Sequence, residues 1–222
     1  MPKWLHDMGL NAYEYSLTRG IRISELIAKK IGEQAAKWGI VMSVHAPYYI
    51  NLASQNEENR QKSIEYLARS AEAAKWLGAT RVVFHPGSAG KDRNLAMETA
   101  KKTLLKALEE CRKYIACGIH LCPETMGKVS QLGNLDEVLE LCQLDTTLIP
   151  TIDFGHLHAL YQGAVKSSKD YIDILDTIEN SLGKKRGKKF HIHFSRIEYT
   201  ESGEKKHHAY TENNYGPDFD PL

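Results

Sequence analysis

Cysteine is scarce in this sequence. Its 222 residues hold four, Cys111, Cys117, Cys122 and Cys142, with no CxxC pair and no framework spacing. A disulfide-built secreted domain is thereby excluded, and a reducing cytoplasm is the expected setting. No apolar run approaches the length of a membrane span, and no apolar signal core follows a basic stretch at the N-terminus. Charge of one sign is missing too. Lys+Arg 29 against Asp+Glu 28 leaves +1, so no strong global field draws the chain to nucleic acid or to a membrane. No Gly-rich phosphate loop opens a helix, and no Ser/His/Asp or Cys/His nucleophile arrangement stands out. With 42% hydrophobic residues the chain can bury a sizeable core. Against these absences stands one surplus: ten histidines.

Short β-branched runs alternate with longer amphipathic stretches. Helical spacing predicts helices over about Ser24–Trp38, Glu57–Leu77, Asn94–Cys117, the short LDEVLELC after Asn134, and a stretch through Tyr171, Leu175, Ile178 and Leu182. Asn134 with Glu137 three residues on reads as a capping box. Between the helices lie IVMSVHAP, RVVFHPG, GIHLCPE, TLIPTIDF and KFHIHFS, with NAYEYS as one more strand behind the helix-like PKWLHDMG. That is about six strands, none paired as a hairpin. Repeated βα units imply a parallel sheet, and without a linker or composition shift they predict a single (β/α) barrel domain over 1–222. After about Thr200 the chain is polar and reads as loop, and GKKRGKK reads as a solvated basic loop at the far end of the barrel.

The strand ends carry the chemistry. In order along the chain they present His45, His85, Glu124, Asp153 with His156, and His193. Parallel barrels build their active sites at that rim, from the loops that follow each strand. One strand-end histidine is ordinarily structural; five consecutive strands ending in metal-ligand residue types predict a metal site. Imidazoles mixed with carboxylates suit zinc, with manganese or iron as alternatives, and argue against magnesium and calcium. This many ligands implies two or more ions, and Glu124, midway in the set, is the natural bridge. Multinuclear sites of this kind hydrolyse phosphoesters.

The segments VHAPYYINLAS, VVFHPGS, PETMGK with the following LGNLDEV, TIDFGHLHA, and HIHFS with a later HH resemble, in order, those of endonuclease IV. This is the zinc-dependent AP endonuclease family of the xylose isomerase-like TIM barrel superfamily. The resemblance implies that His45 and His85 hold one zinc and that Glu124 bridges to a second. Asp153 and His193 would hold that second ion, with His156 and His207 facing a third. It implies cleavage of damaged double-stranded DNA 5′ to an abasic site, leaving a 3′-hydroxyl. Tyr48 matches a position that contacts DNA near the flipped-out site, and its neighbour Tyr49 is a second aromatic that could wedge into a base stack. Three departures accompany the likeness. Lys205 stands where the family has an aspartate two residues before His207, with Glu204 or Glu201 as substitutes; the family's last carboxylate ligand, on its final strand, has no counterpart; and the family's first strand is missing. An incomplete barrel lacking its first and last strands would expose edges that invite association.

Two other readings compete. A sugar isomerase or epimerase on the same barrel would bind one divalent ion through Glu124, Asp153 and His193 and take a small sugar. A degenerate barrel would keep ligands without assembling the site. His158 and His208 are candidates for orienting ligands from behind, or for plain surface residues. His191 shares a strand face with His193, which is nearer the strand's end.

Overall fold

A computed structural model describes residues 1–222. The chain runs α1 (Pro2–Asp7), β1 (Ala12–Ser16), α2 (Glu25–Lys37), β2 (Val41–His45), α3 (Glu57–Leu77), β3 (Arg81–Phe84), β4 (Gly87–Ser88), α4 (Arg93–Ile115), β5 (His120–Pro123) and β6 (Gln131–Leu132). It continues with α5 (Leu135–Gln143), β7 (Thr151–Asp153), α6 (Phe154–Leu160), α7 (Ser168–Leu182), α8 (Lys184–Gly187), β8 (His191–His193), β9 (Arg196–Thr200) and β10 (Gly203–His208).

Six strands form the parallel barrel wall in the order β1-β2-β3-β5-β7-β8. The β5–β7 link is a single bridge, Glu124 to Thr151. This is the α/β TIM barrel architecture that the βα alternation predicts. Helices cover the middle of the wall from outside, so Val82, Val83 and Phe84 of β3 and all of β7 are buried. A core of 45 buried residues joins the strands to α3, α4, α5 and α7. Helix starts follow local chemistry. Asn56 caps α3 by accepting from Glu58 N, Asp92 caps α4 through Leu95 N, and Asn134 with Glu137 forms the expected capping box on α5.

Two sequence expectations fail here. The polar region after Thr200 is not a loop: β9 and β10 pair antiparallel, so one hairpin is present where none was expected. It lacks the apolar alternation of a buried strand because most of β10 faces solvent, and docking, not patterning, holds it. Arg196 anchors it, donating to Tyr210 O and Tyr215 O and pairing with Asp218. Gly203 lets it approach the wall: its φ is +94°, and a Cβ there would fall 2.0 Å from Gly127 O. The basic GKKRGKK stretch contains the one-turn helix α8, fixed where Arg186 donates to Cys142 O at 2.7 Å. No helix is long and apolar enough to cross a membrane.

Candidate metal centre

Parallel strands place their C-terminal ends together, and this one fact assembles the site. A cavity of about 620 Å³ at that rim is lined by His45, Tyr48, His85, Glu124, Met126, Lys128, Gln131, Asp153, His156, Ile192, His193, Phe194, Ser195, Glu204 and His207. All seven metal-ligand candidates, Tyr48 included as an eighth neighbour, reach this one cavity. Tyr49 does not line it; the ring packs between Tyr48, 4.2 Å away, and Tyr66, 6.1 Å away.

Glu124 sits at the centre, 1% exposed. Its Oε2 lies 3.1 Å from His45 Nε2 and 3.2 Å from His85 Nε2. Its Oε1 lies 2.7 Å from His193 Nδ1 and 3.7 Å from His156 Nδ1. The two oxygens therefore face two different ligand groups. Asp153, the last residue of β7, caps α6 by accepting from His156 N at 2.8 Å; its Oδ2 stands 3.6 Å from His156 Nδ1 and 4.0 Å from His193 Nδ1. On the hairpin side, Glu204 is 3.5 Å from His156 Nε2 and 3.4 Å from His207 Nε2. Lys205 turns away to pair with Glu198 at 2.6 Å. Of the two substitutes for the family aspartate, Glu204 is the one that reaches the site.

The imidazoles are held from behind. A carbonyl only accepts, so His45 Nδ1, 2.9 Å from Ala46 O, carries a proton, and Nε2 is the nitrogen turned toward Glu124. His156 Nδ1 is held the same way by Thr125 O at 2.8 Å. Ser195 Oγ lies 2.7 Å from His207 Nδ1. Such outer partners fix ring orientation and the nitrogen offered to a metal.

Electrostatics point the same way. The buried carboxylates of Glu124 and Asp153 have only histidines as ion-pair partners within 4.0 Å. An unanswered buried charge is strongly unfavourable, and hydrogen bonds to the carboxylates raise the pKa of His45, His193 and His207 against the opposing effect of burial. Burial works against the charge on His193, but its hydrogen bonds to Glu124 and Glu14 outweigh it and push its pKa up to about 11. Glu124 is held well below the usual carboxylate range: burial raises it, and hydrogen bonds from His193, His45 and His85 prevail. The His207 hydrogen bond, against the opposing effect of burial, lowers Glu204 to about 2. The donor set fits divalent ions. His45–His85–Glu124, Glu124–Asp153–His156 and His156–Glu204–His207 each bring one ligand atom per residue within 4.8 Å of the others.

The model of the xylose isomerase-like TIM barrel family matches residues 2–221. The chain belongs to that family. An uncharacterized protein of Methanocaldococcus jannaschii is 34% identical over 212 residues, 95% of this chain and 76% of that one. Endonuclease 4 of Thermus thermophilus is 30% identical over 72% of this chain, which spans 55% of that protein's length. The crystal structure of endonuclease IV from Thermus thermophilus superposes with a TM-score of 0.65 at 26% identity, covering 83% of this chain and 67% of the other. A D-tagatose 3-epimerase-like protein superposes at 0.70 with 22% identity, over 89% of this chain and 72% of the other, a likeness of fold alone.

Within this family frame, two carboxylates escape a reading by strand ends. Glu204 lies in the hairpin, which patterning misses. Glu14 lies mid-strand on β1, where it meets Ser43, His191 and His193. The signal for it is a charged residue between Tyr13 and Tyr15 in a strand, which needs a buried partner. His158 and His208 do not back the ligands. His158 Nδ1 is 2.8 Å from Val165 O, and His208 stacks on Tyr215 and pairs with Glu198 and Glu212.

Proposed function

We propose that this chain is a zinc-dependent phosphodiesterase of the endonuclease IV type, cleaving double-stranded DNA 5′ to abasic sites. One observation carries the reading: Glu124 turns Oε2 to His45 and His85 and Oε1 to His193, with Asp153 4.0 Å from the same His193 nitrogen, an arrangement that would let one carboxylate serve two ions. The His156–Glu204–His207 group supplies a third set of donors, which a one-ion sugar enzyme would leave without a use. Bound divalent ions supply such a site with an activated water and with charge that neutralises the phosphate and leaving oxygen.

The chain's own residues do the rest. Glu124, Asp153 and Glu204, with the imidazoles, would hold the ions; Thr125 O, Ala46 O and Ser195 aim the rings. Lys128 lines the cavity and adds a positive charge for an incoming phosphate. Tyr48, 55% exposed, lines the cavity, and Tyr49, 49% exposed, packs beside it; exposed aromatics of this kind would wedge into an unstacked base pair. The cavity has room for a sugar-phosphate unit.

The test joins metal analysis to incision. The purified chain, loaded with zinc, is expected to hold two or three ions and to nick a duplex at a single abasic analogue, leaving a 3′-hydroxyl, with no cut in the intact duplex. Glu124→Ala should remove more than one ion per chain and lower incision on the order of 10³-fold or more, the size expected when several kcal/mol of transition-state stabilisation are lost. A single bound manganese, no incision, and epimerisation of a ketose would overturn the reading in favour of the sugar enzyme.

A further inference from the structure

Three ligand histidines hold an outer partner on one nitrogen and face the site with the other. His193 is built the opposite way round, with Nδ1 toward Glu124 and Asp153 and Nε2 turned outward, 3.0 Å from Glu14 Oε1. Glu14 belongs to β1 and His193 to β8, the two strands at the edges of the parallel wall. Its carboxylate is itself held. Ser43 Oγ donates to Oε2 at 2.8 Å, and His191 Nε2 stands 3.2 Å from the same oxygen.

The tautomer of His191 follows from Arg81. A guanidinium only donates, and Arg81 Nη1 lies 3.2 Å from His191 Nδ1 while donating to Phe190 O at 3.1 Å. Nδ1 of His191 therefore accepts, Nε2 carries the hydrogen, and that N–H points at Glu14 Oε2. With Oε2 engaged by Ser43 and His191, Oε1 remains for His193. The same logic argues against an ion among Glu14, His191 and His193, because the His191 nitrogen nearest Glu14 bears a hydrogen and not a lone pair.

We propose that Glu14 is a positioning residue for the metal centre: anchored by Ser43 and the Arg81–His191 pair, it accepts the Nε2–H of His193 and so commits Nδ1 to the metal shared by Glu124 and Asp153. The proposal rests on the metal-centre reading above. A carboxylate behind a ligating imidazole fixes the ring and raises its basicity, and loss of such a partner weakens metal binding about 10–100-fold.

The experiment compares the zinc-loaded full chain with its Glu14→Gln variant. Gln keeps the shape, but its amide must turn an N–H toward His193 or His191, each of which offers only an N–H. Chelator competition should show one ion bound about 10–100-fold more weakly and the others unchanged. Nitrogen-15 NMR of histidine-labelled protein should show His193 with a protonated Nε2 in the wild type and a mixture of tautomers in Glu14→Gln. Ser43→Ala, which removes one donor aiming the carboxylate, should weaken the same ion by a smaller factor, and serves if Glu14→Gln does not fold. Equal weakening of every ion, or a zinc ion located between Glu14 and His191 by anomalous scattering, would overturn the role. Wild type that binds ions with Glu14→Gln unchanged removes the role and leaves the metal centre standing. Wild type that binds no ion removes the metal centre itself.

Discussion

Glu124 shows how a single side chain can organise a centre. A carboxylate 1% exposed is tolerated only where opposite charge answers it, and here the answering groups are imidazoles on β2 and β8, just after β3, and on α6. The same burial acts on the thiols in the opposite sense. It disfavours the thiolate and pushes Cys111 and Cys122 up to about 12, and Cys142 higher still, while Cys117 alone is exposed. Native protein should therefore react with one equivalent of a thiol reagent near neutral pH, at Cys117, and with four after unfolding in denaturant. Two or more equivalents under native conditions would mean that the core around α4 and β5 opens readily.

At the scale of elements, the β9–β10 hairpin decides the third donor group. Glu204 N donates to Gly127 O at 2.8 Å, and a Cβ on Gly127 would lie 2.8 Å from Glu204 Cβ, so the hairpin and the loop after β5 meet with no spare space. That docking turns Glu204 inward and Lys205 outward to Glu198. Glu204→Gln should lower zinc content by one ion per chain at limiting metal, and His207→Ala should do the same. Lys205→Ala should leave it unchanged; elemental analysis after gel filtration distinguishes the three. Further round the wall, α5 depends on its cap. Asn134 accepts from Glu137 N, and the Glu137 carboxylate accepts from Gly133 N and Asn134 N and pairs with Arg93. Asn134→Ala should cost about 1 kcal/mol in urea unfolding with an unchanged m-value.

For the whole molecule, the candidate metal centre would tie the wall together. Its candidate ligands come from β2, β3, β5, β7, α6, β8 and β10 or the residues directly after them, so an ion bound there would contact the fold from most sides. An ion that binds only the folded chain should stabilise it by about 2.7 kcal/mol at a hundredfold excess over its Kd, roughly 5–10 °C in melting temperature for a chain of this length. Chelation should remove that gain, and calorimetry with and without EDTA measures it. The gap between β1 and β8 is spanned by Glu14 reaching His191 and His193, so the two edge strands meet through side chains. Much of this was legible beforehand. Period-two and period-3.6 patterns, glycine stops and caps fix which residues form strands and helices and which way the strands run. Parallel strands then put His45, His85, Glu124, Asp153 and His193 at one rim, because direction alone decides which end is which. Sequence could not place Glu204 over His156 or Glu14 against His193. Those meetings depend on sheet curvature, on a docked hairpin and on the approach of strands far apart in the chain, which only packing in three dimensions sets.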